Sequence, residues 1–200
     1  WSPTGFLQSF RQKSRKKRYK ANDMTSPFVL MKAWGLHPKK ELGQNFIKDA
    51  ATAAMIVARS GVTENDVVLE IGAGLGALTI PLSRQTKKVY AVEKDRRVAG
   101  LLKNEILAGG CDNVVLLLDD VLKLDLEAIA ASEGGRLFIM GNIPYNISSQ
   151  ILVQLIMRRK FVKKAVLMFQ KELAMRIMAQ PGGKPYGRLA VMLGYCATIG

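Results

Sequence analysis

The sequence predicts an α/β fold with a central, mostly parallel sheet flanked by helices. From residue 27 onward, short apolar runs alternate with longer helical segments, and this alternation is typical of βαβ units. Gly72, Gly74 and Gly76 directly follow the first apolar run, where glycine permits a sharp turn from strand to helix. Ligands of such sheets bind at the carboxyl ends of the strands, so we expect the functional residues there.

The first half of the fold begins with a helix over residues 49–59, which is rich in alanine and has Asp49 as its expected N-cap. The apolar run 67–71 predicts the first strand. The helix predicted over 96–107 ends at a glycine pair, which is typical of a helix C-terminus. The elements of this half after the first strand are a helix over 77–84, a strand over 89–92, a helix over 96–107 and a strand over 114–118.

In the second half of the fold, strands and helices continue to alternate. It begins with a short helix that ends at the glycine pair 134–135. Ser148 is the expected N-cap of its longest helix. The segment 188–197 is apolar, and we expect it to start a further strand. The elements are a helix over 126–132, a strand over 137–140, a helix over 148–159, a strand over 165–169 and a helix over 171–179.

The composition indicates a globular protein with an anionic partner. The 200 residues carry a net charge of +14, with a pI near 10.0, which favours nucleic acid. A membrane is disfavoured, because no apolar stretch approaches the roughly 20 residues of a membrane span. One histidine, His37, and two separate cysteines, Cys111 and Cys196, exclude a zinc site of the usual kind. We therefore expect no metal and a reducing compartment.

Residues 1–23 differ from the rest of the chain. Seven of the ten residues from Arg11 to Lys20 are Lys or Arg, and the first acidic residue is Asp23. Three origins fit this segment: a basic arm that contacts RNA phosphates, the remnant of a targeting segment, or a foreign extension before a natural start at Met24. The main domain is expected over residues 24–200.

Three features at successive strand ends favour an adenosine pocket. Gly72 and Gly74 follow the first strand in a G-x-G-x-G spacing, which differs from the dinucleotide G-x-G-x-x-G. Glu93 ends the second strand, where a carboxylate can accept hydrogen bonds from both ribose hydroxyls. Asp120, with Asp119 as the alternative, ends the third strand and can accept from the adenine amine. NAD and S-adenosylmethionine both contain the adenosine group that such a pocket binds.

The fourth strand end favours S-adenosylmethionine. It carries Asn142-Ile143-Pro144-Tyr145, in which the Asn side chain offers a carbonyl acceptor, proline has no N–H, and Tyr offers a stacking face. Such a site suits the amine of a flat base. A dehydrogenase needs a proton-transfer residue near the hydride, whereas His37 lies before the first strand.

The chain resembles the ribosomal RNA adenine dimethyltransferases, the family of the bacterial small-subunit enzyme behind kasugamycin sensitivity and of the erythromycin-resistance methylases. The resemblance covers roughly residues 27–200 and implies a Rossmann-like class I S-adenosylmethionine-dependent methyltransferase fold. It is carried by the segments 42–46 (LGQNF), 70–79 (EIGAGLGALT), 120–122 (DVL), 141–148 (GNIPYNIS), 169–172 (FQKE) and 186–189 (YGRL).

The resemblance also implies roles for individual residues. Gln44, Asn45 and Ile47 would close over the methionine end of the cofactor, which would lie against Gly72. Glu93 would bind the ribose and Asp120 the adenine. The full set of implied cofactor residues is Gln44, Asn45, Ile47, Gly72, Gly74, Glu93, Asp120 and Asn142. Asn142 and the Ile143–Pro144 backbone would bind the target amine. Tyr145 and Phe169 would sandwich the target base, although an aliphatic residue also occurs in the family where Phe169 stands.

Segments 169–172 and 186–189 resemble the small-subunit enzyme, so we expect dimethylation of two adjacent adenines near the 3′ end of small-subunit rRNA, as part of ribosome biogenesis. The alternatives are a large-subunit rRNA methyltransferase of the macrolide-resistance type, a non-catalytic ribosome-assembly factor and a DNA adenine methyltransferase. The helical C-terminal domain of the family is expected to be absent. A monomer is expected in bacterial cytoplasm, or in an organelle if residues 1–23 are a targeting remnant.

A cluster of basic residues lies between the fourth and fifth predicted strands. Its members are Arg158, Arg159, Lys160, Lys163 and Lys164. Their density predicts contacts with the phosphate backbone of RNA. We call these five residues the 158–164 cluster.

Overall fold

The computed structural model describes Val29, Gly35, Phe46, Ile47 and residues 49–199. The predictions for residues 1–23, Gln44 and Asn45 lie outside these residues. In chain order the elements are α1 (Ala50–Arg59), β1 (Val67–Ile71), α2 (Thr79–Ser83), β2 (Lys88–Glu93), α3 (Arg96–Ala108), β3 (Val114–Leu118), α4 (Leu126–Ser132), β4 (Leu137–Asn142), α5 (Ser148–Met157), a 3-10 turn (Arg159–Phe161), β5 (Val162–Met168), α6 (Lys171–Ile177) and α7 (Arg188–Cys196).

The five strands form one parallel sheet in the order β3-β2-β1-β4-β5. The chain winds in one direction from β1 to β3 and then returns to the other side of β1 with β4. Crevices for ligands form at such reversals, outside the carboxyl ends of the strands. The register places Ile71 of β1 beside Gly141 of β4, so the turn after β1 adjoins the segment after β4.

Alternate residues of β1 pack into two different apolar clusters. Val68 joins one cluster with Leu102 and Phe138, and Leu69 joins the other with Ile139. All five residues of β1 are buried, because a parallel strand is covered by helices on both faces. The sheet thus gives the ends of its central strands a rigid support.

The predicted strands and most predicted helices are confirmed within a few residues. Asp49 caps α1 as expected, since its carboxylate accepts hydrogen bonds from the N–H groups of Ala51 and Thr52 at 3.2 and 2.9 Å. The expectation that Ser148 caps α5 was wrong. Ile147 occupies the cap position, and the Ser148 hydroxyl instead donates to the carbonyl of Pro144 at 2.8 Å.

The expectation of a strand over 188–197 was also wrong, because Arg188–Cys196 form helix α7. Ala190 and Leu193 are buried three residues apart, which is helical spacing, and the helix packs against Ile156 of α5 and Ile177 of α6. Within the described residues, no helix has both the length and the apolar character needed to cross a membrane.

Candidate active site at the carboxyl ends of the strands

A cleft opens at the carboxyl ends of β1, β2, β3 and β4. Its empty volume, open solvent included, is about 990 Å³, at the upper end of the range for ligand pockets. The structure brings most of the predicted cofactor residues together here. Those that line the cleft are Ile47, Gly72, Gly74, Glu93, Asp120 and Asn142; Pro144, predicted for the target amine, and Phe46 line it as well.

The glycine turn after β1 forms the floor of the cleft. Gly72 and Gly74 have φ values of 69° and 58°, a region that L side chains rarely adopt. A Cβ at Gly74 would also lie 3.1 Å from two ring carbons of Phe46. Gly72 is exposed to the cleft, whereas Gly74 is buried beneath the Phe46 ring, so this turn brings the main chain of Gly72 within reach of a ligand.

Glu93 connects the end of β2 to the glycine turn. Its two carboxylate oxygens accept hydrogen bonds from the N–H of Gly74 at 2.9 Å and the N–H of Asp95 at 2.8 Å. Burial raises the pKa of Glu93, and these backbone donors oppose the rise. The side chain is 8% exposed and is held in a single place at the wall of the cleft.

Asp120 is held by a cation at the end of β3. Its carboxylate lies 2.9 Å from Lys94 Nζ and also accepts from the N–H of Leu122 at 3.0 Å. The hydrogen bond from Lys94 lowers the pKa of Asp120, so the carboxylate is ionised near neutral pH. The alternative candidate, Asp119, also lines the cleft, and its carboxylate accepts from the N–H of Asp120 at 2.7 Å.

Glu70 is a site residue to which the sequence analysis assigned no role. It lies inside β1, is 1% exposed and lines the cleft. The Thr79 hydroxyl donates to its carboxylate at 2.6 Å. Burial, and secondarily the charge of Glu93, raise the pKa of Glu70 to about 8. The signal in the sequence is a single acidic residue within an otherwise apolar strand.

The segment after β4 is fixed from two sides. The N–H of Ile143 donates to the carbonyl of Met168 at the end of β5, at 3.0 Å. The Pro144 carbonyl accepts from the N–H of Ile147 at 3.2 Å and from the Ser148 hydroxyl at 2.8 Å. Asn142, the last residue of β4, borders the cleft beside Pro144. This arrangement holds the Asn142 amide at the same cleft as the glycine turn.

The two predicted stacking residues lie outside the lining of the cleft. The Tyr145 side chain is 53% exposed, so its ring is accessible to a partner. Phe169 is half-buried and packs against two of the apolar clusters, beside Leu167. A stacking role for either residue stays a prediction.

The 158–164 cluster lies at the opposite edge of the sheet. Helix α5 crosses from the carboxyl end of β4 to the amino end of the parallel strand β5, and the seven residues of β5 separate the two edges by about 23 Å. Lys163 pairs with the buried Asp66, and Lys164 donates to the carbonyl of Ser60 at 2.8 Å. The structure does not bring this cluster to the cleft, and its contact with RNA stays a prediction.

Comparison with known proteins supplies an independent line of support. The profile of a family described as ribosomal RNA adenine dimethylase matches residues 35–199. Ribosomal RNA small subunit methyltransferase A from Desulforapulum autotrophicum is 49% identical over 176 residues, which are 88% of this chain and 61% of that protein. The chain thus spans about 61% of the length of this curated relative.

Two solved structures share the fold. A dimethyladenosine transferase from Plasmodium falciparum is 33% identical with a TM-score of 0.66, over 75% of this chain and 52% of that one. The 23S rRNA methyltransferase ErmE is 28% identical with a TM-score of 0.57, over 66% of this chain and 50% of that one. The comparisons by sequence and by structure therefore both relate this chain to adenine-modifying RNA methyltransferases.

Proposed function

Because the chain belongs to the ribosomal RNA adenine dimethylase family, we propose that it transfers methyl groups from S-adenosylmethionine to the exocyclic amines of two adjacent adenines near the 3′ end of small-subunit rRNA. One observation carries the proposal: Asn142 and Pro144 border the same cleft as the glycine turn and Glu93. A group that binds a base amine and a pocket for adenosine thus lie side by side.

The cleft fits the proposed cofactor. Glu93 can accept from ribose hydroxyls, and the Asp120 carboxylate, whose pKa is lowered by Lys94, can accept from the adenine amine. The main chain of the exposed Gly72 is accessible, and Gly74 and Ile47 line the same cleft. When bound, S-adenosylmethionine supplies an electrophilic methyl group on a sulfonium. Gln44 and Asn45 stay candidates for the methionine end on the family resemblance.

Asn142 and one main-chain carbonyl would hold the target amine. The Pro144 carbonyl already accepts from Ile147 and Ser148, so we assign the second acceptor to the carbonyl of Ile143. Two acceptors on the two amine hydrogens favour a more tetrahedral nitrogen and direct its lone pair away from them. Positioning of this kind can supply about 7–11 kcal/mol of the barrier. No general base is needed before the attack, because the amine proton becomes acidic only afterwards.

The target base would leave its stack, or be unpaired, before it reaches these acceptors. The half-exposed ring of Tyr145 is placed to stack on it, and each base–aromatic stack is worth about 1–3 kcal/mol. Phe169 would have to turn out of its apolar contacts to form the second face. We therefore rank Tyr145 ahead of Phe169 as the stacking residue.

The small subunit is favoured over the large subunit by the comparisons. The curated relative is named for the small subunit, and the dimethyladenosine transferase is more similar to this chain than ErmE in both identity and TM-score. We infer a role in ribosome biogenesis with ribosomal RNA, free or in a pre-ribosomal particle, as the partner. A cytoplasmic location follows as part of the same proposal.

The proposal predicts that Asn142→Ala abolishes methyl transfer while the protein still folds. The measurement is transfer of labelled methyl groups from S-adenosylmethionine to small ribosomal subunits that lack the modification, followed by mapping of the labelled nucleotides. Asn104→Ala, an exposed asparagine on α3, is the matched control and should retain wild-type transfer. Label on other nucleotides, or equal transfer by Asn142→Ala and the control, would contradict the proposal.

A further inference from the structure

The segment that follows β5 is basic and exposed. Between residues 171 and 199 it contains four cations, Lys171, Arg176, Lys184 and Arg188, and a single acidic residue, Glu172. All four cations are exposed. This charge imbalance creates a local positive potential that suits a polyanion.

Within the part of the chain that the structure describes, these four side chains have no intramolecular polar partner. Among the residues that the structure describes, none of the four forms an ion pair or donates a side-chain hydrogen bond. A cation without a protein partner can bind a phosphate without first breaking an existing contact.

The 158–164 cluster is different, because all five of its side chains contact their own chain. Lys163 pairs with Asp66 and Lys164 donates to the Ser60 carbonyl. Arg158 and Arg159 donate to Gln154 Oε1 and to the Ile156 carbonyl at 3.1 and 3.3 Å, and Lys160 lies 3.9 Å from Glu127. Each would lose an existing contact on binding RNA, and the cluster stands at the edge of the sheet far from the cleft.

The position of the basic segment connects it to the site. Lys171 begins α6 three residues after Met168, and the carbonyl of Met168 accepts the hydrogen bond from Ile143. The segment therefore departs from the strand end that holds the Asn142–Tyr145 motif. It also carries Tyr186, 36% exposed, as a stacking face between Lys184 and Arg188.

We propose that Lys171, Arg176, Lys184, Tyr186 and Arg188, the α6–α7 surface, bind the single-stranded RNA that flanks the target adenines. This inference rests on the proposed function for its choice of RNA as the partner. The four cations contact phosphates and set the affinity, whereas Tyr186 stacks on a flanking base. Phosphate contacts of this kind position a nucleic acid without reading its sequence.

The test is the salt dependence of RNA binding. The probe is a fluorescein-labelled RNA stem-loop with two adjacent adenines in its loop, titrated with the full chain between about 50 and 200 mM salt. Neutralising two cations with Lys184→Ala and Arg188→Ala should lower the slope of log affinity against log salt by about 1.4, because each single-strand phosphate contact contributes about 0.7. Tyr186→Ala should weaken binding about tenfold and leave the slope unchanged.

Two further double variants separate this surface from its rivals. Arg84→Ala with Lys103→Ala removes two exposed cations elsewhere and should leave the slope unchanged. Arg159→Ala with Lys160→Ala tests the 158–164 cluster. The inference is overturned if the Arg159/Lys160 pair lowers the slope and the Lys184/Arg188 pair does not. It is also overturned if all three double variants lower the slope equally, or if the wild-type chain does not bind the probe. Retained binding of S-adenosylhomocysteine shows that each variant is folded.

The outcome is separable from that of the proposed function. If wild-type protein shows the expected slopes but transfers no methyl groups to small subunits, the surface stands and the proposed activity fails. If methyl transfer occurs and Lys184→Ala with Arg188→Ala leaves the slope unchanged, the activity stands and the surface assignment fails.

Discussion

Glu70 is a carboxylic acid placed where water reaches almost none of its surface. Its ordinary pKa is 4.5 and the folded protein raises it to about 8. Between these two values the native state retains a proton that the unfolded chain has lost. Linkage then requires the free energy of unfolding to fall as pH rises through this window, by up to about 1.4 kcal/mol per pH unit.

We expect Glu70→Gln to reduce this pH dependence, because an amide keeps the neutral, hydrogen-bonded form at every pH. The measurement is urea unfolding of wild type and variant at several pH values from about 5 to about 8. Glu64→Gln, on an exposed side chain, is the control and should follow the wild-type curve. A variant curve as steep as that of wild type would show that Glu70 is ionised in the native state.

A glycine at position 74 is required for the positive φ of the turn and for the position of the Phe46 ring, and substitutions can separate these two requirements. Gly74→Ala places a side chain at a φ of 58° and 3.1 Å from Phe46, whereas Gly134→Ala meets the same backbone strain, at a φ of 69°, with open space around it. Each should cost about 1–2 kcal/mol of stability. Only Gly74→Ala should weaken binding of S-adenosylhomocysteine, measured by calorimetry. Equal binding by both variants would place the ligand away from the glycine turn.

An ion pair between Lys163 and Asp66 stabilises the edge of the sheet formed by the amino ends of the strands. Burial raises the pKa of Asp66, but hydrogen bonds from Lys163 and Thr63 outweigh this and hold the pKa below its ordinary value. The pair joins β5 to the residue before β1, at positions 97 apart in sequence. This contribution to stability is present above the unfolded pKa of Asp66 and is lost as pH falls below it.

Lys163→Met should destabilise the fold by roughly 1 kcal/mol, because Asp66 keeps its Thr63 donors and the lysine side chain is half-exposed. Lys160→Met, which removes the long contact to the exposed Glu127, should have almost no effect. Denaturant unfolding near neutral pH measures both. If the two variants lose equal stability, the Asp66 pair is not a specific connection between the strands.

The elements differ in how readily the sequence predicts them. Val67–Ile71 is a short apolar run directly followed by glycine, so its type and its end were both predicted. Helix α7 was not, because Val191 and Tyr195 place apolar surface on its exposed face, at 50% and 90% exposure, and this obscures the helical spacing of the buried residues. The role of Ser148 was not predictable either, because its hydroxyl donates to the Pro144 carbonyl, which comes close to it only in the folded turn.

At the scale of the whole molecule, the candidate site was largely predictable because parallel strands align their carboxyl ends. Gly72, Glu93, Asp120 and Asn142 were each predicted at strand ends, and the structure brings them to one cleft. Side-chain direction was not predictable. Glu70 lines the cleft although it lies inside β1, and Lys94 lines it as the ion-pair partner of Asp120. The 158–164 cluster lies at the opposite edge of the sheet because α5 returns the chain to the amino end of β5.

The return of the chain from β3 to β4 has a consequence for synthesis on the ribosome. β1 is complete at Ile71, yet its second neighbour begins at Leu137. At about 5–20 residues per second, roughly 3–13 seconds separate the two events. During that interval one edge of β1, a strand in which Glu70 is the single polar residue, has no partner, and an unpaired strand edge promotes aggregation. We expect nascent chains paused before Leu137 to depend on chaperones, and chains that have emerged beyond Met168 to be released from that dependence.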